Sequence, residues 1–283
     1  MAKIEYLTQE LIEKYLKKVY NSDELSLKKS IQIIGENTEY HPKGNTLGYG
    51  LLDEVKVKEL TGVDIPILIT GNNGDKGTIA IVAQDPKRSD GDKQLPIVNN
   101  GETIKDKIIV GTPFAFHYER NAYSRTKVYR EIVDRLLKDG YKVYITDAHK
   151  IYSEDKTFSI DKDLEIDLLK DEIKEMTPKC VVTFGEDALN YIEDAYINDD
   201  NKPSCVNVLH PSSNNTSNWD SWIFEQAYWE VKNNREGFWS GYAQKRGSRD
   251  KVYGEFSGEM SVEKVIVEST MEKIKKILEN SHM

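Results

Sequence analysis

Apolar side chains recur at helical spacing near the start of the chain. Thr8 stands before this stripe in the place of an N-cap, and Glu10 and Glu13 lie in the first turns. The stripe consists of Leu11, Ile12, Tyr15, Leu16 and Val19. The spacing predicts that about residues 1–60 are helical, ahead of a turn-forming cluster of Gly, Asn and Asp at 71–75.

From about residue 78 the pattern changes to short apolar runs that alternate with amphipathic helices. The runs predict strands at 78–83, 108–110, 142–146, 180–184 and 206–209. Helices are predicted at 124–137, at about 164–176, from 186, and from 219 to about 232. Strands that alternate with helices are typical of a mainly parallel sheet with helices on both faces. The predicted fold is α/β, a three-layer αβα sandwich with an N-terminal helical extension.

The predicted organisation is a single domain over residues 1–283, with its core at about 78–232. The extension covers 1–60, and a C-terminal tail that contains a helix covers 240–283. The chain has 283 residues and 38% of them are hydrophobic, which is ample for one core. No apolar stretch reaches the roughly 20 residues of a membrane helix, and the N-terminus lacks the apolar run of a signal peptide. We therefore expect a cytoplasmic protein with no membrane partner.

Two further features bear on cofactors and compartment. Cys180 and Cys205 each lie in an apolar run and form no Cys-x-x-Cys pair, so we expect buried, inert thiols in a reducing compartment. His117 and His149 have no second histidine four residues on and no neighbouring cysteine. These patterns predict no metal and no cofactor.

Polar residues follow three of the predicted strands where each strand ends. They are Gln84-Asp85, Thr146-Asp147 and His210. Ligands of parallel α/β sheets bind at the carboxyl ends of the strands. These residues come from distant parts of the sequence, and we expect them to converge at one edge as an active site.

The charge pattern bears on nucleic acid as a partner. A net charge of −9 argues against a protein that coats nucleic acid nonspecifically. A local basic cluster near the C-terminus can still grip a short stretch of DNA, and a solvated loop is the alternative interpretation. The cluster comprises Lys245, Arg246, Arg249 and Lys251, with Phe238, Trp239 and Tyr242 just upstream.

Three motifs in order resemble those of the uracil-DNA glycosylases, over about residues 78–232. The turn at 83–86, Ala-Gln-Asp-Pro, resembles their water-activating loop. The sequence His-Pro-Ser-Ser at 210–213 resembles their His-Pro-Ser loop. The strand and loop at 143–150 resemble the segment whose end carries a base-reading Asn in a Thr-Asn-x-x-Lys setting. The resemblance implies a monofunctional DNA glycosylase that uses water as its nucleophile.

The chemistry of N-glycosyl bond cleavage fits the residue types in these loops. Positive charge develops on the sugar and negative charge on the departing base. Asp85 is the candidate carboxylate for stabilising the sugar and orienting or deprotonating water; turn capping before Pro86 is the structural alternative. His210 is the candidate donor to the base O2, as in an oxyanion hole. Ser212 and Ser213 are candidate phosphate contacts, with an ordinary polar turn as the alternative.

The resemblance also implies residues that receive a flipped base. Phe114 matches the position of the family's stacking Phe, whereas for Phe116 we favour core packing. Gln84 is a candidate contact to the base or the water. Lys87 and Arg88 directly follow the loop and are candidate contacts to phosphates or to a base substituent.

Where uracil-specific relatives have the base-reading Asn, this sequence has Asp147. A carboxylate cannot donate to uracil O4, but it accepts a hydrogen bond from the N4 amine of cytosine. If the carboxyl is protonated, as burial favours, it also donates to cytosine N3. The sequence holds Lys87 where strict relatives have a Tyr that blocks substituents at C5. Together the two departures favour a cytosine-type base, enlarged at C5 by a hydroxymethyl or sugar group. The alternatives for Asp147 are a catalytic carboxylate, or a structural residue while another side chain reads the base.

A third departure concerns the residue that fills the space left by the flipped base. The family's Leu is replaced by Asn214, so either another side chain such as Trp219 intrudes or the DNA is already partly open. We therefore expect DNA, double- or single-stranded, as the partner.

The sequence predicts a glycosylase that acts on a C5-modified cytosine of phage DNA, in antiviral defence. The alternatives are a uracil or deaminated-base repair glycosylase, a non-catalytic DNA-binding module of the same fold, and an unrelated α/β transferase. The last is disfavoured because no Gly-rich phosphate loop occurs.

Overall fold

Short apolar runs and amphipathic stripes form the strands and helices of the described residues. The computed structural model describes residues 2–35, 38–42, 44–45, 47–72, 75–84, 86, 106–118, 124–208 and 262–280. The strands are β1 (Lys3–Glu5), β2 (Gly50–Leu52), β3 (Thr61–Asp64), β4 (Ile67–Thr70), β5 (Thr78–Ala83), β6 (Ile108–Gly111), β7 (Lys142–Asp147), β8 (Ile151–Ser153), β9 (Cys180–Phe184) and β10 (Cys205–Val208). The helices are α1 (Gln9–Tyr20), α2 (Lys28–Ile34), α3 (Ser124–Lys138), α4 (Lys162–Met176), α5 (Glu186–Ala195) and α6 (Val262–Asn280), with a 3₁₀ turn at Pro113–Ala115.

The main sheet has six strands in the order β1-β4-β7-β5-β9-β10. Four neighbouring strands, β7, β5, β9 and β10, pair in parallel. At one edge β4 and β1 continue the sheet with antiparallel pairing. All five residues of β9 are buried, as expected for a strand covered on both faces. The predicted α/β architecture is thus confirmed, in the form of a mixed sheet with a parallel centre.

Side chains of each central strand alternate between two cores. Ile79 and Ile81 of β5 join the core that includes α3 and α6, and Ala80 and Val82 join the core of α4 and α5. We call these sides of the main sheet the α3 face and the α4 face. Helices on both faces make the three-layer sandwich that the alternating pattern predicts.

A second sheet of four strands has the order β2-β6-β3-β8. It contains β6, the predicted strand at 108–110, which pairs with β2 and β3 rather than with the strands of the main sheet. The apolar run of β6 predicts a buried strand correctly but carries no information about its partners, because pairing is a long-range property. The second sheet matters for the site because it carries the loop with Phe114 that follows β6.

The N-terminal segment is joined to the main sheet. Helices α1 and α2 agree with the helical prediction for 9–20 and 28–34, and α1 packs against α4. The prediction is wrong at 3–5 and 50–52, which are strands. The structure adds two strands that the helical pattern does not predict: β1, which pairs with β4, and β2 of the second sheet. Three-residue strands are too short to show a period of two in the sequence. None of the helices within the described ranges is long and apolar enough to cross a membrane.

Candidate active site

The carboxyl ends of β5 and β7 lie side by side in the main sheet. The two strands pair in parallel, with Ala83 opposite Asp147. Gln84 therefore begins the loop beside Asp147, as the strand-end pattern predicts. On the other side of β5, β9 and β10 end together, with Phe184 opposite Val208. We call this border of the sheet the carboxyl edge.

Asp147 is buried, with 3% of its surface exposed. Because side chains alternate along β7, Asp147 points to the α3 face like Val143 and Ile145 before it. Tyr129 of α3 is a buried residue of the same face. Burial raises the pKa of the Tyr129 phenol well above its ordinary value, and the negative charge of Asp147 raises it further. The carboxyl group and the phenol therefore lie on the same face of the sheet, near enough for the charge of Asp147 to act on Tyr129.

Phe114 packs against two further aromatic rings on this face. The ring of Phe114 stacks on Tyr129 with centroids 3.6 Å apart, and Phe184 meets both rings edge-on at 5.8 and 4.8 Å. Phe114 is only partly buried, whereas Tyr129 and Phe184 are buried. Phe114, the predicted stacking residue, thus packs on the side chains of Tyr129 from α3 and Phe184 from β9. All three rings lie on the same face of the sheet as Asp147.

The backbone at Phe114 is unusual. Phe114 and Ala115 have φ angles of +53° and +52°, a region that costs non-glycine residues roughly 1–2 kcal/mol each. The buried guanidinium of Arg130 holds this turn, because its Nη2 donates to the carbonyls of Ala115 (3.0 Å) and Tyr118 (3.2 Å). Strain that the surrounding structure maintains is common at functional sites.

Phe116 does not share the position of Phe114. It is fully buried, its ring lies 6.0 Å from that of Tyr40, and the guanidinium of Arg130 sits 4.8 Å from its centroid. The prediction that Phe116 belongs to the core is confirmed.

Gln84 is held on the opposite side of the sheet from Asp147. Its side-chain Nε2 donates to Oδ2 of Asp187 in the first turn of α5, at 2.9 Å. Its carbonyl accepts a hydrogen bond from the amide of His149, also at 2.9 Å. The predicted contact of Gln84 to the base or the water stays a prediction.

The remaining predicted residues lie outside the described residues. These are Asp85, Lys87, Arg88, His210, Ser212, Ser213 and Asn214, together with Trp219, the aromatic helix at 219–232 and the basic cluster. Pro86, which follows Asp85, is buried. The chain leaves β10 at Val208 on the carboxyl edge, two residues before His210.

The loop after β7 is fixed from the α4 face by two buried carboxylates that the sequence reasoning missed. Glu165 and Glu172 stand seven residues apart on α4 and contact the residues from Thr146 to Lys150. A signal was present in the sequence, since both fall within the apolar stripe of α4 beside Leu168, Leu169 and Ile173. Tyr129 was also missed, although it neighbours the predicted apolar side of α3.

Within the described ranges, no group of three or more histidine, cysteine or acidic side chains is placed to hold a metal ion. The buried carboxylate of Glu165 binds other side chains of the protein instead. It accepts hydrogen bonds from His149 Nδ1 at 3.1 Å and from the Tyr191 hydroxyl at 3.0 Å.

The profile of the Uracil DNA glycosylase superfamily matches residues 71–232, more than half of the chain. The match covers β5, β7, β9 and β10, with the loops that follow them. The chain belongs to this superfamily. No curated protein matches the chain.

Membership of the uracil-DNA glycosylase superfamily indicates a DNA glycosylase type of function, with DNA as substrate. The superfamily generally hydrolyses N-glycosyl bonds in DNA. The carboxyl edge, where Asp147 meets the aromatic rings, is therefore the candidate active site.

Proposed function

We propose that this chain is a monofunctional DNA glycosylase that releases a flipped cytosine-type base carrying a substituent at C5, as found in the DNA of some phages. The observation that carries the proposal is the position of Asp147. A carboxyl group, buried at the end of β7, lies on the same face of the main sheet as the Phe114 ring and its stacking partner Tyr129. In that place it meets the hydrogen-bonding edge of a base stacked on the Phe114 ring.

The hydrogen-bonding capacity of Asp147 selects the base. An ionised carboxylate only accepts, so it pairs with the N4 amine of cytosine and leaves uracil O4 without a donor. An unpaired polar group in an enclosed site is costly, which is why such a site discriminates strongly between hydrogen-bonding partners. An Asn at this position has both a donor and an acceptor and suits uracil.

The aromatic rings supply the stacking surface that a flipped base needs. One face of Phe114 is covered by Tyr129, so a base stacks on its other face. The backbone strain at Phe114 and Ala115, held by Arg130, fixes the ring in this position. A preorganised stacking surface lowers the ordering cost of binding the base.

In the proposed reaction the bond between C1′ of the sugar and N1 of the base breaks, and its electron pair leaves with the base. Asp85 stabilises the cationic sugar and takes a proton from the water whose oxygen bonds to C1′. His210 donates a hydrogen bond to O2 of the departing base and stabilises its negative charge. The products are an abasic site and the free base. No lysine-dependent strand cleavage is part of this scheme.

Contacts to DNA are proposed for the loops that flank these two residues. Ser212 and Ser213 bind a phosphate, and Lys87 and Arg88 meet phosphates or the C5 substituent of the base. Asn214 stands in the place of an apolar wedge, which suits DNA that is already partly open. A glycosylase restricted to modified cytosine spares the host's own DNA, so antiviral defence is the biological role that fits this specificity.

The test is base release from a panel of DNAs, measured by mass spectrometry. The panel contains C5-modified cytosine, unmodified cytosine and uracil, and Asp85→Ala and His210→Ala are assayed beside the wild type. His41→Ala, a change on an exposed histidine, is the control. Release of modified cytosine that both variants lose supports the proposal. Fast and exclusive release of uracil contradicts the assigned base and leaves a repair glycosylase. No release of any base favours a DNA-binding module.

A further inference from the structure

A fully buried ion pair lies directly behind the proposed base-reading residue. The side chains of Lys150 and Glu172 are 1% and 0% exposed, and Lys150 Nζ lies 2.8 Å from Glu172 Oε2. A lysine ammonium group has three protons to donate. Lys150 directs them to Glu172 Oε2, to the Thr146 hydroxyl at 2.7 Å and to the backbone carbonyl of Asp147.

The acceptors of this lysine are concentrated at the end of β7. Two of the three belong to the last two residues of β7, and one of those is the main chain of Asp147 itself. Glu172 also accepts from the Thr146 hydroxyl at 2.8 Å. The ion pair therefore fixes the end of β7 where the strand leaves the sheet.

Glu165 fixes the far side of the same loop. Its Oε1 accepts from the amide of Lys150 at 2.8 Å, and its Oε2 from His149 at 3.1 Å. Glu165 is 1% exposed. The two carboxylates lie two turns apart on one side of α4, and they hold the segment from Thr146 to Lys150 at both ends.

Asp147 lies between these two anchoring points but points the other way. Thr146 faces α4, and the alternation along β7 sends the Asp147 side chain to the α3 face, toward Tyr129 and Phe114. A shift of the main chain at residue 147 therefore moves the carboxyl group relative to the aromatic rings. Misplacement of a functional group by about 1 Å can cost a factor of about 100 in rate.

We propose that Lys150 is a positioning residue, which fixes the base-reading carboxyl of Asp147 through its backbone carbonyl, with Glu172 as the buried counter-charge. This inference rests on the proposed function, because it assigns Lys150 a part in base selection. Lys150 itself does not touch the substrate, since it contacts Asp147 from the α4 face.

The test uses the double variant Lys150→Met/Glu172→Gln in the full chain. It removes both charges, so that no uncompensated ion stays buried, and the glutamine oxygen can still accept from Thr146. Val181→Ala is the matched control, because Val181 is a buried apolar residue of β9 on the α4 face. Thermal unfolding shows first that both variants fold.

The decisive readout is the ratio of kcat/KM for the preferred cytosine-type base to that for uracil. We expect the double variant to lower this ratio by about 10-fold or more, and Val181→Ala to leave it at the wild-type value. A folded double variant with the wild-type ratio overturns the proposal, since a residue that only stabilises the fold does not change discrimination.

A structural readout separates this inference from the proposed function. Crystal structures of the wild type and the double variant give the position of the Asp147 carboxyl group without any turnover. If the wild type releases no base, the proposed function fails, and the structures alone decide on Lys150. Displacement of the Asp147 carboxyl group supports a positioning role, and an unchanged position overturns it.

Discussion

The end of β7 has different surroundings on the two faces of the main sheet. On the α3 face, the partly buried ring of Phe114 stands on a strained turn beside the carboxyl of Asp147. On the α4 face, Lys150, Glu165 and Glu172 form a buried network of charge-assisted hydrogen bonds. One strand thus carries the proposed base-reading carboxyl group on one side and is fixed by hydrogen bonds from the other, because neighbouring residues of a strand point in opposite directions.

The difference suggests that the hydrogen bonds on the α4 face keep the proposed site on the α3 face rigid. A site must hold its groups within roughly 0.5 Å of their working positions, and packing or hydrogen bonds behind the site provide this. Buried ion pairs contribute little net stability compared with apolar residues, so they are better understood as fixing one arrangement. The comparison yields four predictions, from the largest expected effect to the smallest.

Breaking the ion pair on the α4 face has the largest expected effect. Lys150→Met leaves the Glu172 carboxylate buried without its counter-charge, and we expect the free energy of unfolding to fall by about 3–5 kcal/mol. Urea denaturation measures it. Lys162→Met, at a half-exposed pair with Asp194, is the control, with a loss below about 1 kcal/mol. Equal losses in the two variants would contradict the buried role of Lys150.

On the α3 face, the isosteric change Asp147→Asn tests base selection. We expect kcat/KM for the cytosine-type base to fall about 100-fold or more and uracil release to rise, because the amide donates where the carboxylate accepts. Asp194→Asn, the same change on the exposed side of α5, is the control and keeps the wild-type rates. An unchanged preference in Asp147→Asn would assign base selection to another residue.

Phe114→Leu tests the stacking surface while keeping an apolar side chain. We expect kcat/KM to fall by about 10-fold, since base–aromatic stacking contributes about 1–3 kcal/mol per base. Phe158→Leu is the matched control, because Phe158 is a partly buried ring that stacks on Tyr20 away from Asp147. Similar activity losses in both variants would point to a general effect on the fold.

We expect the thiols at the amino ends of the parallel strands, opposite the candidate site, to be unreactive. Cys180 and Cys205 begin β9 and β10 there, and burial raises their pKa values to about 12 and about 11. Both thiols therefore stay protonated at pH 8, and reactivity should rise only as the pH approaches 11. We expect slow alkylation by iodoacetamide in the folded protein and rapid alkylation in urea, measured by mass spectrometry. Rapid labelling of the folded protein would contradict this.

The sequence by itself determined most elements of the parallel core and the adjacency of two of the predicted strand ends. Strands β5 and β9 lie at the predicted residues, and α3 extends one residue beyond the predicted end. These elements follow from the local period of apolar residues, which a strand or helix imposes directly. The parallel order then places Gln84 and Asp147 side by side at the carboxyl edge, as predicted.

Only the tertiary structure decided which strands pair and which side chains share a face. The apolar run of β6 does not specify its sheet, and β1 is too short to predict at all. Gln84 and Asp147 are neighbours at the edge, yet they point to opposite faces, which the loop motif alone does not reveal. The pairing of Lys150 with Glu172 joins residues 22 positions apart. Such contacts arise from packing between elements, and a local pattern of residue types cannot encode them.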